Sequence, residues 1–393
     1  MPDASRSPSL AATVTALGIA QIVSWGTLFY TIAVLGPAMR VATGVSDLAL
    51  YASYSAGLVV SGLVAPWIGR WIDARGGRSL LGGGSVVAAI ACAALALVQG
   101  PVTLALAWLL AGAAMAATLY DPAFATLHHV AGASYRRSVT ALTLFGGFAS
   151  TVFWPLSQAL LEAVGMRATF AIYAGLHLAV CLPLHLVFVP VRHAPAIVPP
   201  SAYAPQPRER ADSVYFWLAT ALALASLVAS AVAAHLIGLL TVSGLTAREA
   251  VLVGALIGPM QVAGRVTDLV LGRHMGPIAA GTVAFAMLAA SLAVFAMTGG
   301  HFALAVLFAV LYGWSNGVLT IVRGTVPAEL FGRKGYGALL GRLAAPQFIA
   351  RALAPAALAG VLMLDVERTV TMWALVACGA VAFIAYRRAV RSD

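Results

Sequence analysis

Residues 66–81 read Pro66-Trp-Ile-Gly69-Arg70-Trp-Ile-Asp73-Ala-Arg75-Gly76-Gly77-Arg78-Ser-Leu-Leu81. This basic stretch separates two long apolar runs. Its glycines suit tight bends, so it is expected to form a polar turn. Between two membrane helices it carries more meaning. Asp73 is placed to accept from backbone N–H groups or from an arginine of a neighbouring helix. Arg75 and Arg78 are expected in the cytosolic headgroup zone.

Composition supports the membrane setting. The 393-residue chain is 61% hydrophobic and 9% charged, against about 25% charged in soluble globular chains. Lipid is therefore the expected solvent. The net charge of +10 does not call for nucleic acid, because the basic residues fall in short loops where they set topology. Cys92, Cys181 and Cys378 lie in apolar runs without metal-ligand spacing and read as small buried hydrophobes. Only Arg6 precedes the first apolar run, which exceeds a signal-peptide core of about 7–15 residues and reads as a retained helix.

A span needs roughly 20 apolar residues. Twelve candidates follow: Leu10–Ala38, Leu48–Gly69, Ser79–Val98, Val102–Leu127, Ser138–Ala163, Ala168–Val189, Val214–Leu240, Ala250–Leu271, Pro277–Thr298, Phe302–Val326, Tyr336–Leu364 and Thr369–Tyr386. Runs this long are helices, since lipid leaves no other partner for backbone groups. The proline-rich, basic stretch 190–213 reads as a cytosolic linker between a six-helix bundle at 1–189 and another at 214–393. With both ends cytosolic, the outer loops hold only Arg40, Arg167, Arg248 and Arg368, and most other basic residues fall inside.

The halves echo one another. Gly69-Arg70 before Arg75 and Arg78 has a counterpart in Gly264-Arg265 before Gly272-Arg273, although Arg273 stands where an Asp73 equivalent would be. The stretch at 66–81 resembles the loop joining the second and third helices of the major facilitator superfamily, roughly G-x-x-x-D-basic-x-G-basic-basic. Gly69, Asp73, Gly76 and Arg78 match, while Ala74 and Gly77 replace basic residues. A second signature of that superfamily is similar to Pro327-Ala-Glu329-Leu-Phe-Gly332-Arg333-Lys334 with Gly337 and Gly341. The resemblance implies an all-α membrane protein of twelve transmembrane helices in two pseudo-symmetric six-helix bundles. It implies a transporter, with Gly69, Asp73, Gly76, Arg75 and Arg78 at the inner gate.

Charges inside spans are informative because each costs several kcal/mol unless paired or hydrated. Arg351 falls near mid-depth of the eleventh span, about 22 Å along it by helical rise. It reads as an anion site or as a structural arginine bonded to helix carbonyls or a distant acid. Arg265 and Asp268 share a face of the eighth span and read as an ion pair, structural or opened by substrate. Asp121, beside Pro122 in the fourth span, is a proton-coupling candidate or the partner of a basic residue. Gln21, Ser24, Trp25, Thr27 and Tyr30 form a polar–aromatic stripe on the first span, so Gln21 and Tyr30 are candidates for substrate contact. His235 is a lone histidine, a candidate for proton coupling or for packing. Asn316, Tyr312 and Gln347 are weaker candidates for substrate contact. The adjacent pair His128-His129 points about 100° apart and would chelate poorly.

No nucleotide-phosphate loop, metal-ligand cluster or nucleophile elbow occurs, so neither an enzyme nor a cofactor is expected. The glycine-spaced antiporter signature ending in Gly-Pro is absent from the fifth span, where Gly147 and Pro155 stand apart. The first span, SWGTLFYTIAVLGPAM, is similar to the opening helix of the monocarboxylate-transporter and oxalate/formate-exchanger group. That group places an arginine after glycine in the eighth helix, and its oxalate/formate branch a cation in the eleventh. Gly264-Arg265 and Arg351 fit, whereas Arg273 departs from the acidic residue usual in the following loop. The resemblance implies a monomeric carrier in a bacterial cytoplasmic membrane. It would move a small organic anion by alternating access, with protons as candidate co-substrate. The alternatives are efflux of drugs, oxyanions or organoarsenicals, and a non-transporting receptor.

Overall fold

The computed structural model describes residues 8–191, 208–272, 274–332, 334–363 and 368–391, and its regular elements are all helical. Most of the expected linker, and Arg192, Arg273 and Arg333, lie outside the described residues. The chain divides into two compact units. The first comprises Met1–Ser201 with Arg333–Ala345, and the second Ala202–Gly332 with Pro346–Asp393.

The first unit opens with α1 (Leu10–Ser24), a π-helical turn at Trp25–Phe29 and α2 (Thr31–Thr43). Ser9 starts α1 by accepting the Ala12 N–H at 3.2 Å. Next come α3 (Asp47–Arg75), α4 (Gly77–Ala96), α5 (Pro101–Thr118) and α6 (Tyr120–Val130). After a short 3₁₀ turn follow α7 (Tyr135–Gly147), α8 (Ala149–Leu176), a second π-helical turn at His177–Cys181 and α9 (Leu182–Phe188). Helix α3 lies along α5, α4 packs on α5 and α8, and α1 on α7 and α9. Trp108, Phe124, Phe170 and Tyr173 are fully buried among them.

The second unit holds α10 (Arg208–Val242), α11 (Ala247–Leu271), α12 (Pro277–Ala296), α13 (Phe302–Phe331), α14 (Tyr336–Met363) and α15 (Arg368–Val390). Of α14, the residues through Ala345 belong to the first unit and those from Pro346 to the second. Helix α13 lies on α11 and α12, and α15 on α10 and α12. Phe285, Phe295, Phe308 and Tyr386 fill this core.

Ten stretches among the described residues are long and apolar enough to cross a membrane. The expected fifth and sixth spans form one of them, Gly132–Phe188, because α8 runs through the connection between them. A single residue turns the chain there: Gly165 has φ 79° inside α8, a conformation that disfavours any side chain. The outward surfaces are apolar, with Val102 70% and Leu106 60% exposed. Such surfaces fit acyl chains rather than water.

The expected turn at 66–81 is corrected. Helix α3 continues through Arg75, and only Gly76, at φ 82°, separates it from α4. Pro66 lies inside the helix, and between Trp67 and Arg75 only Gly69 disfavours helical geometry, by about 1 kcal/mol.

Candidate gating and substrate sites

The first unit places Asp73 at the start of α14. Its Oδ1 accepts the Gly337 N–H at 2.8 Å and its Oδ2 the Ala338 N–H at 2.7 Å. A carboxylate on two free N–H groups at a helix start is favoured by hydrogen bonding and by the helix dipole. His129 Nε2 lies 3.3 Å from the same Oδ1. Glycines make the approach possible. A Cβ on Gly69 would overlap the Gly337 carbonyl, and one on Gly341 would overlap that of Ala65. Above this contact the Tyr135 and Tyr336 hydroxyls meet at 2.9 Å, and His128 stacks on Tyr336 with centroids 3.9 Å apart. Arg75 is not in this cluster. Two residues from Asp73, it points about 200° around the helix and lies over Trp71, 4.3 Å from its ring centroid. Arg78 is half-buried in the first turn of α4.

Gln21, a sequence candidate for substrate contact, is hydrogen-bonded within the first unit. It is fully buried. Its Nε2 donates to the carbonyls of Thr118 at 2.7 Å and Leu119 at 3.3 Å, and its Oε1 accepts from Trp25 Nε1 at 3.1 Å. The cause is Pro122. A proline has no N–H, so the carbonyl four residues earlier, that of Thr118, has no helical donor. Gln21 supplies one from another helix. Beyond the resulting break at Leu119, Asp121 lies buried in the first turn of α6. Tyr30 is half-buried in an aromatic cluster that also holds Trp25, Phe29 and Trp154. Tyr120 packs against Trp25 with centroids 5.0 Å apart.

In the second unit polar contacts join α10 and α14 among the described residues. Ser226 Oγ donates to Gln347 Oε1 at 3.4 Å, and Ser230 Oγ to the Arg351 carbonyl at 2.8 Å. His235 Nε2 donates to the Pro355 carbonyl at 3.0 Å. The proline logic recurs: Pro355 deprives the Arg351 carbonyl of its helical donor, and the Ser230 hydroxyl replaces it. The Arg351 guanidinium lies 5.6 Å from the Phe348 ring centroid. His235 thus holds a backbone carbonyl, a sufficient reason for its position. Gln347 is buried and Asn316 half-buried.

Arg265 belongs to the α11/α13 pair. Gly264 beside it meets the Trp314 backbone, and Gly313 and Gly317 meet the backbone of α11, so the two helices touch closely. Arg265 is 5% exposed and Asp268 8%. The Arg265 Nε has no hydrogen-bond partner among the described residues. Arg265 and Arg351 therefore stand in different helix pairs of one unit.

Sequence reasoning missed two histidine contacts. Thr27 Oγ1 and His177 Nε2 are hydrogen-bonded at 2.8 Å, and Thr27 Oγ1 also lies 2.8 Å from the Val23 carbonyl. Ser85 Oγ and His185 Nδ1 are likewise hydrogen-bonded at 2.9 Å, with the Leu81 carbonyl 3.1 Å from Ser85 Oγ. The first contact joins the two π-helical turns. In the sequence His129 reads only as one of a pair, because its partner Asp73 lies on another helix.

Comparison with known proteins gives one family. A model described as Major Facilitator Superfamily matches residues 17–285. No curated protein matches the sequence. The fold is similar to the human organic anion transporter MFSD10 (TETRAN), with TM-score 0.75 and 15% identity over 97% of this chain and 100% of that one. It is also similar to a variant of the E. coli fucose:proton symporter FucP, with TM-score 0.70 and 15% identity over 98% of each chain. A structure of FucP in the outward conformation gives TM-score 0.67 and 15% identity over 96% of this chain and 98% of that one.

Proposed function

The chain belongs to the major facilitator superfamily, and from that premise we propose that it is a secondary transporter of a small organic anion, most simply a carboxylate. One observation carries this reading. Arg265 is buried inside a membrane helix, and its Nε has no hydrogen-bond partner among the described residues. A guanidinium in that setting is costly, and a carboxylate satisfies its planar fork of donors. Arg351 is the second anchor, half-buried with its backbone fixed by Ser230. Both fit the monocarboxylate and oxalate/formate resemblance. The likeness to an organic anion transporter is one of fold and agrees with this reading.

Transport proceeds by alternating access, the two halves rocking about the substrate site. Asp73, bound to Gly337 and Ala338, is the latch that holds one state. Asp121 and Asp268 are the candidate carriers of a coupling proton. The protein sits as a monomer in a bacterial cytoplasmic membrane with both termini cytosolic, an orientation that rests on the distribution of arginine.

Uptake of labelled monocarboxylates into proteoliposomes tests the reading. Arg265→Gln is expected to lower kcat/KM at least about thirtyfold, the range of a charged hydrogen bond. A second reading, efflux of organic cations, draws on the aromatic cluster around Trp25 and the buried Asp121. It requires that deletion alter drug resistance and leave growth on organic acids unchanged.

A further inference from the structure

Leu63, Trp67, Trp71 and Arg75 recur at every fourth position of α3, each about 6 Å further along the axis. Leu63 is 55%, Trp67 59% and Trp71 42% exposed, and Arg70, Ala74 and Arg75 complete the same open arc. The order along the helix is aliphatic, indole, indole, guanidinium. It matches the order met on leaving a bilayer: acyl chain, glycerol region, phosphate.

The cations are pre-positioned. Arg75 Cζ lies 4.3 Å from the Trp71 ring centroid, and Arg70 Cζ 5.9 Å from that of Trp67. Trp71 is itself tied to α4, its Nε1 donating to Ser79 Oγ at 3.4 Å. A guanidinium lying over an indole keeps its N–H edge free to donate to an anion. The nearest carboxylate along the helix does not compete, because Asp73 faces Gly337, Ala338 and His129.

We propose that this strip is a binding site for one anionic phospholipid. The phosphodiester is held by Arg75, Arg70 donates to the ester oxygens of the glycerol region that rests on the two indoles, and an acyl chain runs along Leu63. A soluble phosphate would meet the arginines but leave two indoles and a leucine uncovered, so the apolar part of the strip selects a lipid. The lipid's negative headgroup complements a face that carries two cations and no acid. This site is independent of the substrate.

The test uses the purified full chain in detergent micelles, titrated with phosphatidylglycerol, phosphatidylcholine or inorganic phosphate while melting is followed. Phosphatidylglycerol is expected to raise Tm in a saturable manner, with the other two giving no comparable shift. Arg70→Gln/Arg75→Gln should weaken the midpoint about thirtyfold and Arg75→Gln alone about fivefold. Arg40→Gln, a control paired with Asp47 at 3.3 Å, should leave it unchanged. The double variant should melt with the parent when no lipid is added, since both side chains are exposed. If it does not fold, Arg75→Gln alone decides. Equal shifts from phosphatidylcholine and phosphatidylglycerol, a shift reproduced by inorganic phosphate, or an undiminished response in the arginine variants would overturn the proposal.

Discussion

Gln21 donates its amide to the carbonyl of Thr118 at 2.7 Å, the carbonyl that Pro122 leaves without a helical donor. A residue that looks like a polar lining in the sequence is thus a patch on a broken helix. Replacing it with an apolar group of similar size strands a buried carbonyl, at a cost of about 1–3 kcal/mol. Gln21→Leu should therefore lower Tm by several degrees and leave the KM of transport within twofold. Pro122→Ala restores an N–H, so the penalty of Gln21→Leu should shrink in that background. A double-mutant cycle by thermal melting reads the coupling.

The Asp73 contact with α14 gives a conformational prediction. Asp73→Asn removes the charge and one of the two acceptors that hold Gly337 and Ala338. Loss of a charged hydrogen bond of about 1.5 kcal/mol changes an equilibrium roughly tenfold. With the reporter substitution Ala338→Cys in place, maleimide labelling should accelerate by about that factor. The three native cysteines give little background, since Cys92 and Cys181 are buried and Cys378 is only partly accessible. An unchanged labelling rate would remove Asp73 from the latch.

His235 separates packing from proton coupling. Its Nε2 donates to the Pro355 carbonyl at 3.0 Å. Glutamine places an amide donor at nearly the same reach but does not titrate in the working range. His235→Gln should keep uptake within about twofold with the same pH profile, whereas His235→Leu should lower Tm by stranding the carbonyl. A flattened pH profile in His235→Gln would return the residue to the proton pathway.

What the sequence discloses here is what composition and local periodicity can carry. Long apolar runs identify the helices, because lipid admits little else. Glycines at 69 and 264 mark close backbone approaches in both halves, to Gly337 and Trp314 respectively. The arginines that follow them part ways: Arg70 is exposed and Arg265 buried, a difference that no local pattern encodes. Partners are least legible. Thr27 and His177 are 150 residues apart, and Asp73 and Ala338 are 265. Only tertiary packing decides whether a polar side chain meets a ligand, a hydroxyl or a carbonyl left open by proline.

In the proposed transport cycle Arg265 receives the anion. Purified protein reconstituted in liposomes, with uptake of labelled monocarboxylates measured for the parent, Arg265→Lys and Arg265→Gln, tests it most directly. Expected are saturable uptake by the parent, partial loss with lysine, which keeps the charge but not the fork, and a fall of at least about thirtyfold with glutamine. Equal uptake by the parent and a folded Arg265→Gln would contradict it.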